Sequence, residues 1–255
     1  MTQNPLRAAI ADKKPQLMAW VTYGVPYIIE QMGEAGYDAV LIDQQHGLGD
    51  NKTLLNCLIA ARAAGLPALV RPLIPDPGLI GQALDCGAHG VVSPLVQSVA
   101  DVEACVRAGE YPPSGVRSWG PYRGKLLIEG ENEESINSWV INCVQIEKRG
   151  AMDNIDDILQ VDGLDMVLVG PNDLALAITG TRDIRSAEVL EACDEILRKA
   201  RENDVMTAIF ANDIDYAKPL IAAGWDIITV GTDMGLLNGA AADVAKAFSS
   251  ISSGA

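Results

Sequence analysis

The sequence contains no long apolar run of the kind that crosses a membrane. Its longest uninterrupted apolar stretches are far shorter than the ~20 residues that a transmembrane helix requires. Residues 1–5 also lack the charged-then-apolar layout of a signal peptide. We therefore expect a soluble, cytoplasmic protein with no membrane partner.

Paired cysteines are absent as well. The chain has 5 cysteines, and no two of them have the Cys-x-x-Cys spacing of a zinc knuckle or a redox motif. Each lies in a segment with the pattern of a helix or a strand, which favours reduced core residues over a disulfide framework. These residues are Cys57, Cys86, Cys105, Cys143 and Cys193.

Positive charge is scarce. The chain has 19 Lys and Arg residues against 34 Asp and Glu residues, which gives a net charge of −15. Nucleic-acid binding depends on clusters of Lys and Arg that neutralise phosphates, and here the basic residues are scattered, so we expect no nucleic-acid partner. The same acidic field would repel a small carboxylate substrate, so an anion-binding site would need local positive charge of its own.

Eight short apolar runs alternate with longer amphipathic segments along the chain. Continuous apolar runs fit strands that are covered on both faces, and eight βα units in about 250 residues match the size of a TIM barrel. We therefore predict an α/β fold, a TIM (β/α)8 barrel, as a single domain over residues 1–255, with a doubly wound sheet as the competing architecture. The predicted strands cover residues 17–21, 39–42, 68–70, 90–92, 143–146, 166–169, 207–210 and 227–230.

One interval, residues 110–139, is longer than a normal connection between a helix and a strand. A loop of this length inside a compact domain usually covers an active site or forms a subunit contact. We expect one of these two roles for it.

Two carboxylates follow neighbouring predicted strands. Glu147 comes after the fifth apolar run and Asp173 after the sixth, and in a TIM barrel the reactive groups stand at these carboxyl ends. Burying two ionised carboxylates side by side is costly unless a cation lies between them, and oxygen donors are the ligands that Mg²⁺ and Mn²⁺ prefer. Asp173 alone could equally be a helix cap, but the pair together favours a metal site.

Other strand ends carry a cation and a proton-transfer group. Arg71 closes the third run, where an always-charged guanidinium needs a substrate carboxylate, a developing enolate or a neighbouring acid as its partner. We favour a functional role over a purely structural ion pair. His46 follows the second run close to Asp43, and its imidazole suits proton transfer near neutral pH. Asp85, near the end of the following helix, is a candidate to orient His46.

The segment Gly170-Pro171-Asn172-Asp173 leads from a strand into a helix, where free backbone amides can bind a carboxylate. Lys148 merely follows Glu147, the sixth predicted strand contains no lysine, and the other lysines lie in predicted loops or helices, which disfavours a Schiff-base aldolase. The chain also has no dinucleotide fingerprint and no Walker loop. Two further strand-end residues are Trp20 and Gln145.

Several motifs combine into one pattern: Asp43-x-x-His46-Gly47, Val70-Arg71-Pro72, Leu84-Asp85-x-Gly87-Ala88, Tyr111-Pro112-Pro113-x-Gly115-x-Arg117, Val144-Gln145-Ile146-Glu147 and Gly170-Pro171-Asn172-Asp173-Leu174. Together they resemble the HpcH/HpaI family of metal-dependent class II pyruvate aldolases. The resemblance runs from about residue 17 to residue 237.

The resemblance implies that Glu147 and Asp173 are metal ligands and that His46 and Asp85 form a catalytic dyad. It implies that Arg71 stabilises an enolate and that the amides near Asn172 and Asp173 cradle a carboxylate. Phe210 is expected to shape the aldehyde end of the pocket, and Asp43 to support the site. The expected substrate-binding residues are Gln145, Arg71, Gly170, Pro171, Asn172, Asp173, Trp20 and Phe210.

The function implied by the resemblance is reversible aldol cleavage or addition between a 2-oxo acid, pyruvate or hydroxypyruvate, and an aldehyde through a metal-bound enolate. Mg²⁺, Mn²⁺ or Co²⁺ is the expected cofactor. The resemblance also implies a hexamer, a trimer of dimers in which the last helix is exchanged between subunits. The alternatives are a lyase acting on a malyl- or citramalyl-coenzyme A thioester, and a non-catalytic barrel that binds a 2-oxo acid or a metal.

Overall fold

The structure is a computed structural model that describes residues 3–128 and 132–252. Predictions for residues 1–2 and 253–255, and for residues 129–131 of the long interval, lie outside the described residues. Eight strands are present within the described ranges, and each predicted strand is found within two residues of its predicted bounds. They are β1 (Gln16–Val21), β2 (Ala39–Asp43), β3 (Ala68–Arg71), β4 (Gly90–Ser93), β5 (Ile141–Ile146), β6 (Met166–Val169), β7 (Met206–Ala211) and β8 (Ile227–Val230).

Helices alternate with these strands. Several begin with a proline in the first turn or with an Asp or Ser whose side chain accepts a hydrogen bond from a first-turn amide, which are common ways to start a helix. The helices are α1 (Pro5–Ala11), α2 (Pro26–Glu34), α3 (Asn51–Ala63), α4 (Pro77–Asp85), α5 (Val99–Gly109), α6 (Glu133–Trp139), α7 (Arg149–Asp153), α8 (Ile155–Ile158), α9 (Pro171–Thr179), α10 (Ala187–Glu202), α11 (Ile214–Ala223) and α12 (Asp233–Ser252).

The eight strands form a closed barrel in sequence order. Every neighbouring pair is parallel, and β1 closes the barrel against β8. The predicted TIM barrel is therefore confirmed and the competing doubly wound sheet is wrong. Closure satisfies the backbone hydrogen bonds of both would-be edge strands.

Alternate residues of each strand point into the barrel and out toward the helices. On β2, Ala39 and Leu41 belong to the interior cluster, whereas Val40 and Ile42 pack in the outer layer beneath the helices. The same alternation continues past the last apolar residue of each strand. It therefore directs the strand-end residues Asp43 and Trp20 inward as well.

The amino end of the barrel is closed by α1. Leu6 of this helix is fully buried in the interior cluster, and the Asn4 amide donates to the carbonyl oxygens of His89 at 3.0 Å and Trp139 at 2.8 Å. His89 lies directly before β4 at this same end, where its Nδ1 accepts a hydrogen bond from the Ala68 amide at 3.1 Å. The opposite, carboxyl end is therefore the open one.

The long interval of residues 110–139 connects α5 to β5. Because α5 ends and β5 begins at the amino end of the barrel, its described residues do not cover the open end of their own chain. They contain a short 3₁₀ helix, Gly124–Leu126, and α6. Covering an active site stays a prediction, as does a subunit contact.

Beyond its first turn, the last helix, α12, is not covered by its own barrel. From residue 235 to residue 252 every residue is exposed, including the large apolar Leu237, Val244, Phe248 and Ile251. Among the described residues, no helix combines the length and the hydropathy that crossing a membrane requires.

Candidate active site

The carboxyl ends of the strands surround a small concavity with a volume of about 200 Å³. Most of the residues predicted from the strand ends come together here. The lining residues are Trp20, Thr22, Asp43, His46, Arg71, Gln145, Gly170, Asn172, Asp173, Phe210 and Thr232.

A buried ion pair stands at the centre of this mouth. Asp43 ends β2 and Arg71 ends β3, and the strand register pairs them directly. Arg71 donates from Nε to Asp43 Oδ1 at 2.9 Å and from Nη2 to Oδ2 at 2.6 Å. Burial by itself raises the pKa of Asp43, but the hydrogen bonds and charge of Arg71, with smaller contributions from Trp20 and the Gln45 amide, outweigh burial and lower it. Asp43 thus stays ionised and fixes the guanidinium.

An aromatic wall covers one face of Arg71. Its Cζ lies 4.7 Å from the ring centroid of Trp20, a cation–π distance. The Trp20 indole also donates to Asp43 Oδ2 at 3.2 Å. Phe210 meets Trp20 edge to face, with centroids 5.3 Å apart and ring planes at 82°. Trp20 and Phe210 therefore form one apolar side of the concavity.

Hydrogen bonds continue from Arg71 to β5. Arg71 Nη1 donates to Gln145 Oε1 at 3.1 Å, and Gln145 Nε2 donates to Glu147 Oε2 at 2.5 Å. The backbone amide of Leu95 donates to Glu147 Oε1 at 3.1 Å. The amide group of Gln145 is oriented by this arrangement, because its oxygen faces a cation and its nitrogen faces a carboxylate.

The predicted carboxylate pair is present. Glu147 is buried, and its pKa is raised first by burial and second by the negative charge of Asp173. Asp173 lies in the first turn of α9, and 47% of its side chain is exposed. Two carboxylates that repel each other across a partly buried space create a favourable place for a cation.

The start of α9 brings its backbone close to β5. Gly170 precedes the helix, and a Cβ at this position would stand 2.7 Å from Gln145 Nε2, so only glycine fits without displacing Gln145. The helix has no side-chain cap, so the alternative of Asp173 as a helix cap is wrong. The first-turn amides of Asn172 and Asp173 have no acceptor within the helix and can bind a carboxylate.

His46 lies at the rim of the concavity and is exposed. Its backbone amide donates to Asp43 Oδ1 at 3.3 Å. Gly47 follows, and a Cβ at Gly47 would overlap the Asp43 carbonyl oxygen. The tight turn after β2 therefore places the imidazole beside the Asp43–Arg71 pair.

The sequence prediction missed several residues of the mouth. Thr22 and Thr232 line it, and buried Asp233 accepts hydrogen bonds from the Thr22 amide at 2.8 Å and the Thr22 hydroxyl at 2.6 Å. Lys148, which directly follows Glu147 in the sequence, lies with its Nζ 3.4 Å from Asp173 Oδ1. The alternation along β1, continued from Met18 through Trp20, could have found Thr22.

A sequence profile of the family described as HpcH/HpaI aldolase/citrate lyase matches residues 16–240. The chain belongs to this family. The match spans the whole barrel and both strand ends that carry Glu147 and Asp173. The predicted family and the prediction of a carbon–carbon lyase are confirmed.

Individual members of the HpcH/HpaI family agree with this assignment. The chain is 33% identical over 243 residues to the hydroxypyruvate/pyruvate aldolase of Rhizorhabdus wittichii, which covers 94% of this chain and 97% of the relative. It is 31% identical over 249 residues to the 4-hydroxy-2-oxo-heptane-1,7-dioate aldolase of Escherichia coli, which covers 96% and 95%. An HpcH/HpaI aldolase/citrate lyase family structure from Burkholderia cenocepacia superposes with a TM-score of 0.88 at 29% identity, covering 96% of this chain and 99% of that one. The aldolase prediction is confirmed.

One predicted residue of this aldolase lies away from the mouth. Asp85 is the last residue of α4, which starts beyond the carboxyl end of β3 and runs back about 13 Å toward the amino end. Its carboxylate pairs with Arg117 at 2.7 Å, and burial raises its pKa although Arg117 opposes the shift. Within one chain the helix carries Asp85 to the other end of the barrel from His46, so the predicted dyad of His46 and Asp85 stays a prediction.

The carboxylate pair fits a divalent cation of the Mg²⁺ or Mn²⁺ type. Over residues 3–128 and 132–252, no three His, Cys, Asp or Glu residues gather into a metal-binding group. The candidate donors at the mouth are the two carboxylates of Glu147 and Asp173. A hard cation held by two carboxylates keeps its other positions for water and substrate. Carboxylate oxygens are hard donors, which suit Mg²⁺ and Mn²⁺ better than soft metals.

Proposed function

We propose that this chain is a metal-dependent class II aldolase that joins and cleaves a 2-oxo acid, pyruvate or hydroxypyruvate, and an aldehyde. The observation that carries the proposal is the meeting of Glu147, Asp173, Gln145 and Arg71 at one barrel mouth. The substrate class is supported by the names of the two aldolase relatives from Rhizorhabdus wittichii and Escherichia coli.

In this proposal Glu147 and Asp173 hold Mg²⁺, Mn²⁺ or Co²⁺. The bound metal would act as a Lewis acid that makes the C–H next to the keto group of the 2-oxo acid more acidic. The first-turn amides of Asn172 and Asp173 would bind the substrate carboxylate. Gln145, held between Arg71 and Glu147, would orient the substrate between them.

Arg71 has the position and the rigidity to stabilise developing negative charge. Asp43 and Gln145 already bind its nitrogen atoms, and Trp20 covers one face, so the guanidinium need not reorganise during the reaction. Arg71→Ala would remove this stabilisation, typically ~3 kcal/mol of the activation free energy for one well-placed donor.

His46 is the proposed base for the hydroxyl proton in the cleavage direction. It is the histidine of the mouth, and Asp43 holds its backbone. The carboxylate that would orient its ring cannot be Asp85 of the same chain. We therefore assign this role to Asp85 of a neighbouring subunit, which rests on a hexameric assembly.

Two features support such an assembly. The α12 helix leaves Val244 and Phe248 exposed, with 71% and 72% of their surfaces accessible, and such a row of apolar residues normally has a packing partner. The interval that contains Val116 and Tyr122 is also rich in exposed apolar groups near Asp85. We propose a trimer of dimers with α12 exchanged between subunits. Sedimentation of a Val244→Glu, Phe248→Glu variant should show smaller assemblies.

A proton-exchange experiment tests the proposed chemistry. The protein should exchange the methyl protons of pyruvate for deuterium in D₂O, as followed by NMR, and exchange should stop with a chelator or in Glu147→Gln. Exchange that persists in either condition contradicts the metal assignment. Binding of pyruvate and Mg²⁺ without any exchange would instead favour the non-catalytic barrel.

A mixing experiment tests the shared dyad. Co-expressed His46→Ala and Asp85→Ala chains should regain about a quarter of the wild-type cleavage activity, because random pairing restores that share of the sites. Each variant alone should remain impaired. No recovery in mixed oligomers, verified by two affinity tags, would overturn the assignment of Asp85 to a neighbouring subunit.

The five cysteines are all free, and Cys86 is the one that is not fully buried. Free thiols are typical of reducing compartments. We therefore propose a cytoplasmic location for this aldolase, which fractionation of the native cells would test.

A further inference from the structure

Lys148 stands beside the carboxylate pair but outside the concavity. It follows Glu147 at the end of β5, and its Nζ lies 3.4 Å from Asp173 Oδ1. Its side chain is 31% exposed and that of Asp173 is 47% exposed. Its ammonium therefore contacts an oxygen of one of the two residues that the proposed function assigns to the metal.

The charges of the mouth can be counted from its ion pairs. Arg71 is neutralised by Asp43 at 2.6 Å. Glu147 and Asp173 then stand against the single positive charge of Lys148, which leaves one net negative charge. A divalent cation changes this sum to one positive charge, and a monoanionic 2-oxo acid brings it to zero. This set of five side chains, Asp43, Arg71, Glu147, Lys148 and Asp173, is thus neutral only when the metal and the substrate anion are both present.

We propose that Lys148 is a charge-balancing residue of the metal site: its ammonium pairs with Asp173 before the metal binds, weakens the binding of the metal alone and favours the anion that follows. The inference rests on the proposed function. The reason is electrostatic, because a fixed positive charge near Asp173 repels a divalent cation and attracts a carboxylate.

Removing this charge should move two affinities in opposite directions. In Lys148→Met, calorimetry should show Mn²⁺ binding about fivefold tighter than in wild type, since the site then holds two uncompensated negative charges. Pyruvate should bind the Mn²⁺-saturated variant about threefold more weakly. Lys148→Arg keeps the positive charge, so it should keep the affinities for Mn²⁺ and pyruvate close to their wild-type values. If Lys148 only supported the fold, Lys148→Met would instead weaken the binding of both Mn²⁺ and pyruvate.

Lys218→Met is the matched control. Lys218 pairs with Asp215 at 2.7 Å on the exposed face of α11, and its loss changes the net charge of the chain by the same amount. Both affinities should stay at wild-type values in this variant.

The assignment is overturned if Lys148→Met binds Mn²⁺ no more tightly than wild type, or if Lys218→Met produces the same two shifts. Failure of the proposed function has a different signature. In that case Glu147→Gln binds Mn²⁺ as tightly as wild type, and the Lys148 assignment falls with it. If Glu147→Gln weakens Mn²⁺ binding but Lys148→Met leaves both affinities unchanged, the Lys148 assignment alone is overturned.

Discussion

Asp43 and Arg71 end neighbouring strands and share two hydrogen bonds, of 2.9 and 2.6 Å, inside the barrel mouth. The guanidinium at the barrel mouth is therefore fixed by a buried carboxylate of the same chain. Its third nitrogen, Nη1, is free to orient Gln145. A charge held in this way stabilises an anion without first reorganising.

Asp43→Asn should lower the free energy of unfolding by about 3 kcal/mol, because it leaves the buried Arg71 without its counter-charge. Urea unfolding at neutral pH measures the change. The Asp43 pKa is lowered, so the stabilisation is complete above its ordinary value of 3.8 and is lost as the pH falls through the lower, folded-state pKa. Asp215→Asn, which breaks an exposed pair with Lys218, should cost well under 1 kcal/mol. Equal losses in the two variants would refute this account of the buried pair.

Asp173→Asn should lower the pKa of Glu147 toward its ordinary value of 4.5 in the metal-free protein. Burial raises this pKa first and the charge of Asp173 second, so the variant removes only the second cause. NMR of ¹³C-labelled glutamate side chains, assigned with Glu147→Gln, measures the titration. Because the folded pKa is raised, ionising Glu147 costs stability as the pH rises through it, and Asp173→Asn should reduce that cost. An unchanged Glu147 titration would show that the two carboxylates do not interact.

His89 should make the protein less stable as the pH falls from about 6.5 to about 4. Burial lowers its pKa from 6.5 to about 4, and the neutral ring accepts a hydrogen bond from the Ala68 amide. The unfolded chain takes up a proton in this range and the folded chain does not, so up to about 3 kcal/mol is lost. The difference between the unfolding curves of wild type and His89→Gln isolates this contribution from those of the carboxylates. Parallel pH profiles for the two proteins would contradict the prediction.

Phe210→Ala should shift the aldehyde preference toward bulkier substrates. Phe210 packs edge to face on Trp20, and removing its ring opens the apolar side of the concavity. The ratio of kcat/KM for a branched over an unbranched short aldehyde should rise at least about tenfold, because even one methylene of extra space in an apolar pocket changes discrimination by that factor. Loss of the ring contact should also cost about 1 kcal/mol of stability. A ratio that stays constant would place the aldehyde elsewhere.

The barrel and most of its mouth were predictable because both depend on short-range patterns. Continuous apolar runs marked all eight strands to within two residues. A strand alternates its side chains, so Leu41 facing the interior requires Asp43 to face it too, and the parallel register then sets Asp43 beside Arg71. The same alternation places Glu147 on the same face as Gln145, which lies two residues before it on β5.

Predictions that depended on distance across the fold were less secure. Asp85 was paired with His46, but a helix of nine residues carries it to the opposite end of the barrel. Lys148 is next to Glu147 along the chain, whereas the fold brings its ammonium to Asp173, a contact that sequence neighbours do not reveal. The long interval from residue 110 onward proved to connect elements at the amino end, away from the mouth of its own chain.

The amino-acid sequence by itself determined the barrel, its family and the set of side chains that end each strand. These follow from local periodicity and from motifs whose members lie only a few residues apart. The tertiary structure decided which of these side chains touch: that Arg71 is held by Asp43, that Lys148 contacts Asp173 and that Asp85 is separated from His46. Such contacts depend on barrel closure and on the direction in which each helix returns, and both are settled only when the whole chain is packed.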